Sequence, residues 1–367
     1  MRHLFTIIIF LFVLIPGILC QQRGDTLSEP GKVYLSLKNI NFVKNNEYFN
    51  PIIEGYTLIG YFIQPAIVYS PSRKVKLQLG AHLLNYAGAN KISQVKLVFS
   101  TTYHFSDNTF FTLGTLNGSD KHRMLDPHFN KERLYNLYAE DGLQFVTGND
   151  HLFSDTWLSW ENFIFKGDTT REVFTSAESF RYASGKIGDI CKVEIPVQLQ
   201  FKHYGGQISN YHQPLETFFN LATGVRINFD LAGKRMGIAG IEYLQFINNE
   251  LTKTRAAGVT QGYASWVRFH YNYKAIYFGS YYWKSHNFFA PNGNAIYSSV
   301  STREKDFVIP DRTIWTNSLY LTVHPLDYLE IYLGFDAYYD LNLKHMDTAL
   351  ALHLNLEKLL RLATLKN

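Results

Sequence analysis

Residues 314–341 read IWTNSLYLTVHPLDYLEIYLGFDAYYDL and contain two alternating segments around a turn. Trp315, Leu319 and Val323 fall on one face of the first segment, and Thr316 and Ser318 fall on the other. The second segment alternates in the same way. A period of two is that of a β-strand, and these strands exceed the five or six residues usual in soluble sheets. They are long enough to cross a bilayer at a tilt, which takes roughly 9–11 residues.

The amino terminus predicts export. Arg2 and His3 precede an apolar run over residues 4–14, and Cys20-Gln21 is a plausible cleavage site. We interpret residues 1–20 as a signal peptide, with lipidation of Cys20 as the weaker alternative because Leu19 is not small. After residue 20 no run of about 18 apolar residues occurs, so the sequence predicts no transmembrane helix.

The composition fits one exported barrel. Tyr and Phe are abundant, at 25 and 28 residues, whereas charged residues are 18% of the chain, which is typical of a barrel with interfacial aromatic girdles. The formal charge of +4 is small for 367 residues and argues against a nucleic-acid partner. Cys191 alone remains after residue 20, so no internal disulfide is expected.

The spacing of strands and connections predicts the topology. Alternation gives about 16 antiparallel strands, with 14 as an alternative, in one up-and-down transmembrane β-barrel over residues 21–367. Short turns, such as residues 324–327, follow the even-numbered strands, and long loops, such as 117–139 and 285–313, follow most odd-numbered ones. That asymmetry is the layout of an outer-membrane barrel. A soluble lipocalin-like or sandwich fold is the alternative.

Several segments in residues 45–210 resemble a family of outer-membrane barrels from Bacteroidota. They are NEYFNP at 46–51, EGYTLIG at 54–60, GTLNG at 114–118 with His122 and Pro127, DGLQF at 141–145 and YGGQ at 204–207. The resemblance implies a barrel fold and an outer-membrane location, and it implies no established activity.

The loop over residues 117–139 is dense in charge and follows the fifth strand. We interpret it as a pore constriction, because charged rings at a constriction filter solutes by size and sign. A solvated surface loop is the alternative. The constriction candidates are Asp120, Lys121, His122, Arg123, Asp126, His128, Lys131, Glu132 and Arg133.

Charged residues on the polar strand faces predict a lumen wall. Arg or Lys facing lipid at mid-depth costs ~2–4 kcal/mol, whereas the same charge in a wet lumen is tolerated. The predicted wall residues are Lys76, Lys96, Arg268, His270, Glu330, Asp336, Asp340 and His353.

Catalytic motifs are weak. Ser119, His122 and Asp126 could form a hydrolytic triad, but the chain has 13 His and such triples arise by chance. There is no nucleophile elbow, HExxH helix or paired-Cys metal site. We therefore expect no enzyme, no cofactor and no bound metal.

Passage across the outer membrane is the function that these patterns favour. We predict a porin-like channel for small hydrophilic solutes, with an accessory or structural barrel subunit of a secretion, assembly or uptake complex as the alternative. The expected partners are outer-membrane lipid and other outer-membrane proteins that the long loops contact. The sequence does not define the oligomeric state.

Overall fold

The computed structural model describes residues 29–365 except 189, 207, 212–213, 232–235, 253 and 256. The predicted signal peptide, residues 1–20, therefore lies outside the described residues. Within the described part, no helix is long and apolar enough to span a bilayer.

The chain forms a closed barrel of sixteen antiparallel strands, each paired with its neighbours in sequence. Pairing of the first and last strands closes the barrel, from Lys32 opposite Thr364 to Glu47 opposite Thr348. The predicted fold and strand number are confirmed. The strands are β1 Lys32–Glu47, β2 Tyr56–Ser72, β3 Val75–Tyr86, β4 Gln94–Ser106, β5 Thr109–Thr115, β6 Asp141–Gly148, β7 Leu152–Asn162, β8 Glu172–Ala183, β9 Cys191–Gly205, β10 Glu216–Asp230, β11 Ile238–Glu250, β12 Gln261–Tyr273, β13 Ile276–His286, β14 Asp311–Leu326, β15 Leu329–Asp340 and β16 His345–Thr364.

The alternation sorts side chains between lipid and lumen. Leu319 is 53% exposed on the outer surface, whereas its neighbour Ser318 is 2% exposed and faces inward. Leu350, Leu352 and Leu354 are likewise exposed on β16, with Ala351 buried between them. The outer surface is thus largely apolar, and the polar Glu178 among these outward side chains accepts a hydrogen bond from Ser154 on the neighbouring strand.

The turn predicted at residues 324–327 is wrong in its bounds. β14 continues to Leu326 and β15 begins at Leu329, so the connection is only residues 327–328. Pro325 lies where the β14–β15 register shifts between Val323 and Leu326. A bulge is where a strand tolerates proline, because the missing N–H falls outside the regular ladder.

The connections divide the barrel into two ends. Those after even-numbered strands have two to seven residues and define the turn end, and those after odd-numbered strands define the loop end. Three loop-end connections matter below: the rim loop (residues 48–55), the inner loop (116–140) and the cap loop (287–310). The inner loop and the cap loop bury apolar residues against the barrel's inner wall.

Candidate functional site: the loop folded into the barrel

Apolar residues of the inner loop pack against one side of the barrel interior. Leu116, Met124 and Phe129 form a buried cluster with Trp157 of β7 and Ala177 of β8. Phe129 meets the Trp157 ring edge to face, with ring centroids 6.0 Å apart. Burial of these side chains supplies the non-directional part of the loop's attachment.

His122 supplies directional hydrogen bonds that attach the inner loop to the barrel wall. Its Nδ1 donates to Asp155 Oδ2 at 3.0 Å, and its Nε2 donates to Glu140 Oε2 at 2.9 Å. The ring is fully buried and stacks on Trp157, with centroids 3.7 Å apart and planes 8° apart. Donation from both nitrogens requires the imidazolium form.

The surroundings of His122 favour that charge. Burial alone would lower the pKa of His122, but hydrogen bonds and charges of Asp155 and Glu140 outweigh it and raise the pKa to about 9. Burial opposes ionisation of Glu140 as well, yet His122 and Arg133 hold its pKa below the usual range. A buried charge pair needs good geometry and satisfied donors, and both ring nitrogens of His122 have a carboxylate partner.

Arg133 extends this cluster toward the loop end. Its Nη2 donates to Glu140 Oε1 at 2.9 Å and lies 3.8 Å from Glu161 Oε1. Lys202 of β9 donates to Glu161 Oε2 at 2.6 Å. Three cations and three carboxylates therefore balance between the loop and the wall: His122, Arg133 and Lys202 with Asp155, Glu140 and Glu161.

The cap loop clamps the inner loop from the other side. Asn130 N donates to Asn292 O at 2.7 Å, and Asn294 N donates to Asp126 O at 2.9 Å. The Asn294 side chain also donates to Asp126 Oδ2 at 2.9 Å. Gly293 permits this approach, because a Cβ there would lie 2.0 Å from Pro127 O. The two loops thus form one plug inside the loop end of the barrel.

Three further anchors join the inner loop to β1, β2 and β16. Glu132 accepts from Lys44 Nζ at 3.1 Å and Asn46 Nδ2 at 3.0 Å, and it contacts the Tyr56 hydroxyl. Tyr135 Oη lies 2.7 Å from His353 Nε2. Lys38 Nζ donates to Tyr138 Oη at 2.7 Å.

The nine constriction candidates occupy three kinds of environment. His122, His128 and Arg133 are buried, Asp126 and Glu132 are half-buried, and Asp120, Lys121, Arg123 and Lys131 are exposed. A cavity of about 610 Å³ lies between the inner loop and the wall. The candidates that line it are Asp120, Arg123, Asp126, Lys131 and Glu132.

His128 carries no charge into the lumen. Neither ring nitrogen has a hydrogen-bond partner among the described residues, and the ring meets Phe246 edge to face at 5.0 Å. Burial lowers the pKa of His128 to about 3, so the ring is neutral at pH 7.

The eight wall candidates lie on the inner face, where most have found partners. Arg268 pairs with Glu242 at 2.9 Å, and Asp340 accepts from Arg312 at 2.7 Å. Lys96 Nζ donates to Ala139 O at 2.7 Å and so binds the inner loop. Several of these residues, such as Lys96 and His353, therefore hold the wall and the plug together.

The sequence interpretation missed the acidic partners of the plug. Asp155 and Glu161 occupy the polar face of β7, on which Trp157 also lies. The alternation of polar and apolar residues in β7 could be predicted from the sequence. No nearby sequence feature indicated that the loop of the preceding hairpin would contact these carboxylates. The triad of Ser119, His122 and Asp126 does not form, because both nitrogens of His122 bind other carboxylates and Asp126 binds Asn294.

A separate pocket of about 380 Å³ opens at the loop-end rim, beside the Glu132 anchor. Asn45, Glu47 and Thr57 line its outer side, and Asn46 and Tyr48 line its inner side. Thr57 Oγ1 donates to Asn45 Oδ1 at 2.5 Å, and Asn45 Nδ2 donates to Glu47 Oε1 at 2.9 Å. Glu54 and Arg303 also line it, together with Phe49, Gly55 and Tyr56.

Two residues that line this pocket each bury one polar atom without a partner among the described residues. Asn46 Oδ1 and Tyr48 Oη have no hydrogen-bond partner among the described residues, although both side chains are almost fully buried. Burying an unpaired polar group costs ~1–3 kcal/mol. The Tyr48 ring packs on Tyr338 in the barrel interior, so its hydroxyl lies on the lumen side of the pocket.

We expect attachment of the inner loop to weaken as pH rises through about 9. The pKa of His122 lies above the ordinary value of 6.5, so its stabilising effect is fully present below pH 6.5 and is lost above about 9. Tryptophan fluorescence followed from pH 6 to 10 should show a transition near 9, because Trp157 stacks on His122. His122→Gln should abolish the transition, and His286→Gln, at a half-buried histidine paired with Asp311 outside the plug, should not. A wild-type profile without that transition would contradict the charged assignment.

Comparison with solved structures places the fold among outer-membrane proteins. A loop-deletion variant of OmpT from Vibrio cholerae superposes with a TM-score of 0.52 at 11% identity, covering 90% of this chain and 100% of that one. OccK8 (OprE) from Pseudomonas aeruginosa gives 0.52 at 12% identity, covering 89% and 98%. OprB from Pseudomonas putida gives 0.50 at 10%, covering 90% and 94%. At these identities the likeness concerns the fold alone. No curated protein matches the chain.

The family comparison changes the functional interpretation. A family model described as lipid A 3'-O-deacylase-type matches residues 25–365. The family is named for an enzymatic activity, so the prediction that the chain is not an enzyme is wrong. Because the match covers nearly all of the 367 residues, the chain belongs to the lipid A 3'-O-deacylase-type family.

Proposed function

We propose that the protein is an outer-membrane ester hydrolase that removes an acyl chain from a lipid A-type glycolipid at the rim pocket. The observation that carries the proposal is the family match over residues 25–365. The pocket supports it, because it lies at the loop end of β1 and β2 and opens between the lumen and the lipid-facing surface. A lipid could reach it sideways from the outer leaflet without entering the barrel.

The pocket holds groups suited to hydrolysis. Glu47, oriented by Asn45, would take a proton from a water molecule that attacks the ester carbonyl carbon, and would return it to the leaving oxygen as the acyl C–O bond breaks. Such a role contributes ~10²–10⁴-fold to rate. Arg303 would bind a phosphate of the headgroup.

The acyl chain would lie along the apolar outer wall. Ile59 and Tyr61 follow Thr57 on the outward face of β2 and are 51% and 44% exposed. An acyl chain there makes the same contacts as bulk lipid, so it needs no pocket of its own. Recognition would therefore rest on the headgroup, at Arg303 and the polar lining of the pocket.

Deacylation can be tested by mass spectrometry of lipid A. Cells that express the protein should yield a species lacking one ester-linked acyl chain. Glu47→Gln should reduce that conversion by at least about 100-fold. Glu172→Gln is the matched control, because Glu172 begins β8 at the same end of the barrel and does not line the pocket. Unchanged lipid A with the wild-type protein would refute the activity, and conversion by Glu47→Gln would refute the assigned base.

Passage of small solutes is a second candidate function. The cavity beneath the inner loop adjoins one of about 620 Å³ nearer the turn end, since Arg226, Arg268 and Tyr277 line both. The two form a polar path from the turn end to the plug. In this proposal Arg123 and Lys131 are the constriction charges, whereas Arg133 anchors the loop.

Planar-bilayer recordings separate these two roles. Replacing Arg123 and Lys131 with Gln should shift the reversal potential toward cations, because fixed charge in a confined space is weakly screened. Arg133→Gln should instead raise conductance by loosening the plug. Lys166→Gln, in an exposed loop, is the control. A wild-type protein without conductance, or a double variant with unchanged selectivity, would contradict the channel proposal.

A further inference from the structure

At the turn end, β16 extends beyond the first residue of β15, its neighbour in the sheet. β15 begins at Leu329, which pairs with Leu356, but β16 continues for eight more residues to Thr364. Those residues pair with β1 on one side, from Lys38 opposite Glu357 to Lys32 opposite Thr364, except Leu362 at a register shift between Arg361 and Ala363. Among the described residues, no strand pairs with their other side.

The backbone at this step is an open sheet edge. Glu357 N donates to Tyr328 O at 3.0 Å, the last backbone bond between this part of β16 and the β15 side in the described chain. Lys358 Nζ lies over the Tyr328 ring at 4.2 Å, so the free edge begins at Leu359. Because N–H groups alternate between the two edges of a strand, Leu359 N–H points to the free edge, like that of Glu357. Proteins rarely leave such an edge uncovered.

The side chains at the edge are apolar on both faces. Leu359, Leu360 and Leu362 are 56%, 40% and 55% exposed. Lipid can cover Leu360, which continues the outward row of Leu352 and Leu354, but Leu359 points to the opposite face. Lipid also cannot satisfy backbone groups. The surface therefore fits a protein strand better than it fits the bilayer.

A second copy fits this edge poorly. Copies in one membrane are related by rotation about the membrane normal, which preserves the direction of each strand along that normal. Two β16 strands therefore cannot pair antiparallel. In-register parallel pairing would place Arg361 beside Arg361, and like charges directly opposite are destabilising.

We propose that residues 359–364 of β16 dock an extended segment of a periplasmic partner protein, which adds an antiparallel strand to the barrel's edge. Six residues span ~20 Å, the length of an ordinary strand. Apolar residues at alternate positions of the partner would pack on the leucines, and an acidic residue would pair with Arg361. Strand addition takes its affinity from main-chain bonds and its specificity from such alternate side chains. The inference does not depend on the deacylation.

Photocrosslinking in cells tests the edge. A photoreactive amino acid at position 362 should give an adduct with one periplasmic protein, and the crosslinked peptide should show alternating apolar residues. Leu359→Pro removes only the N–H on the free edge, so it should abolish the adduct. The barrel should stay folded, which a change in gel mobility on heating would verify. Leu359→Ala keeps the N–H and should retain the adduct.

Hydrogen exchange of the purified protein provides an independent readout. The Leu359 amide should exchange rapidly, whereas the Leu360 amide, which faces β1, should exchange slowly. An adduct that survives Leu359→Pro, or the lack of any adduct, would overturn the proposal. So would a slowly exchanging Leu359 amide, because the edge would then be covered by the protein itself or by a second copy.

Discussion

A buried imidazolium held between two carboxylates is the interaction on which the loop-end structure depends. His122 joins Asp155 of the wall to Glu140 of the inner loop's own end, and Arg133 shares Glu140. Removing one partner from such a group leaves an uncompensated buried charge, which typically costs 3–5 kcal/mol. The arrangement therefore defines one position for the loop, whereas apolar packing alone would allow several.

That position has consequences for the rim pocket. The same loop that carries His122 carries Glu132, which accepts from Asn46 at the pocket's inner side. The cap loop contributes Arg303, which lines the pocket and donates to the rim-loop carbonyl of Asn50 at 3.1 Å. The plug thus fills part of the loop end of the lumen and also shapes the pocket that opens toward the lipid. In our account the inner loop and the cap loop, which pack inside the lumen, hold the residues of the outward-facing pocket in place.

Much of the barrel could be predicted from the sequence because the constraint on each strand is local. A strand between lipid and lumen must alternate, so the row from Leu350 to Leu354 determines its own faces, and the order of short and long connections follows from the topology. The contacts between the plug and the wall could not be predicted, because pairs such as Arg133 with Glu161 depend on how deeply a loop enters the barrel. The enzyme prediction failed for a related reason. In the function that we propose, the catalytic groups come from the rim pocket, whose residues belong to β1, β2 and two loops and match no linear catalytic motif.

Hydrogen exchange of the inner loop in a lipid bilayer tests the central claim most directly. The amides of Phe129, Arg133 and Leu137 are bonded within the loop and lie inside the barrel. They should exchange at least about tenfold more slowly than those of the exposed 163–171 loop at pH 7, and His122→Gln should remove most of that difference. Equal exchange rates in the two loops of the wild-type protein would mean that the inner loop is not held inside the barrel.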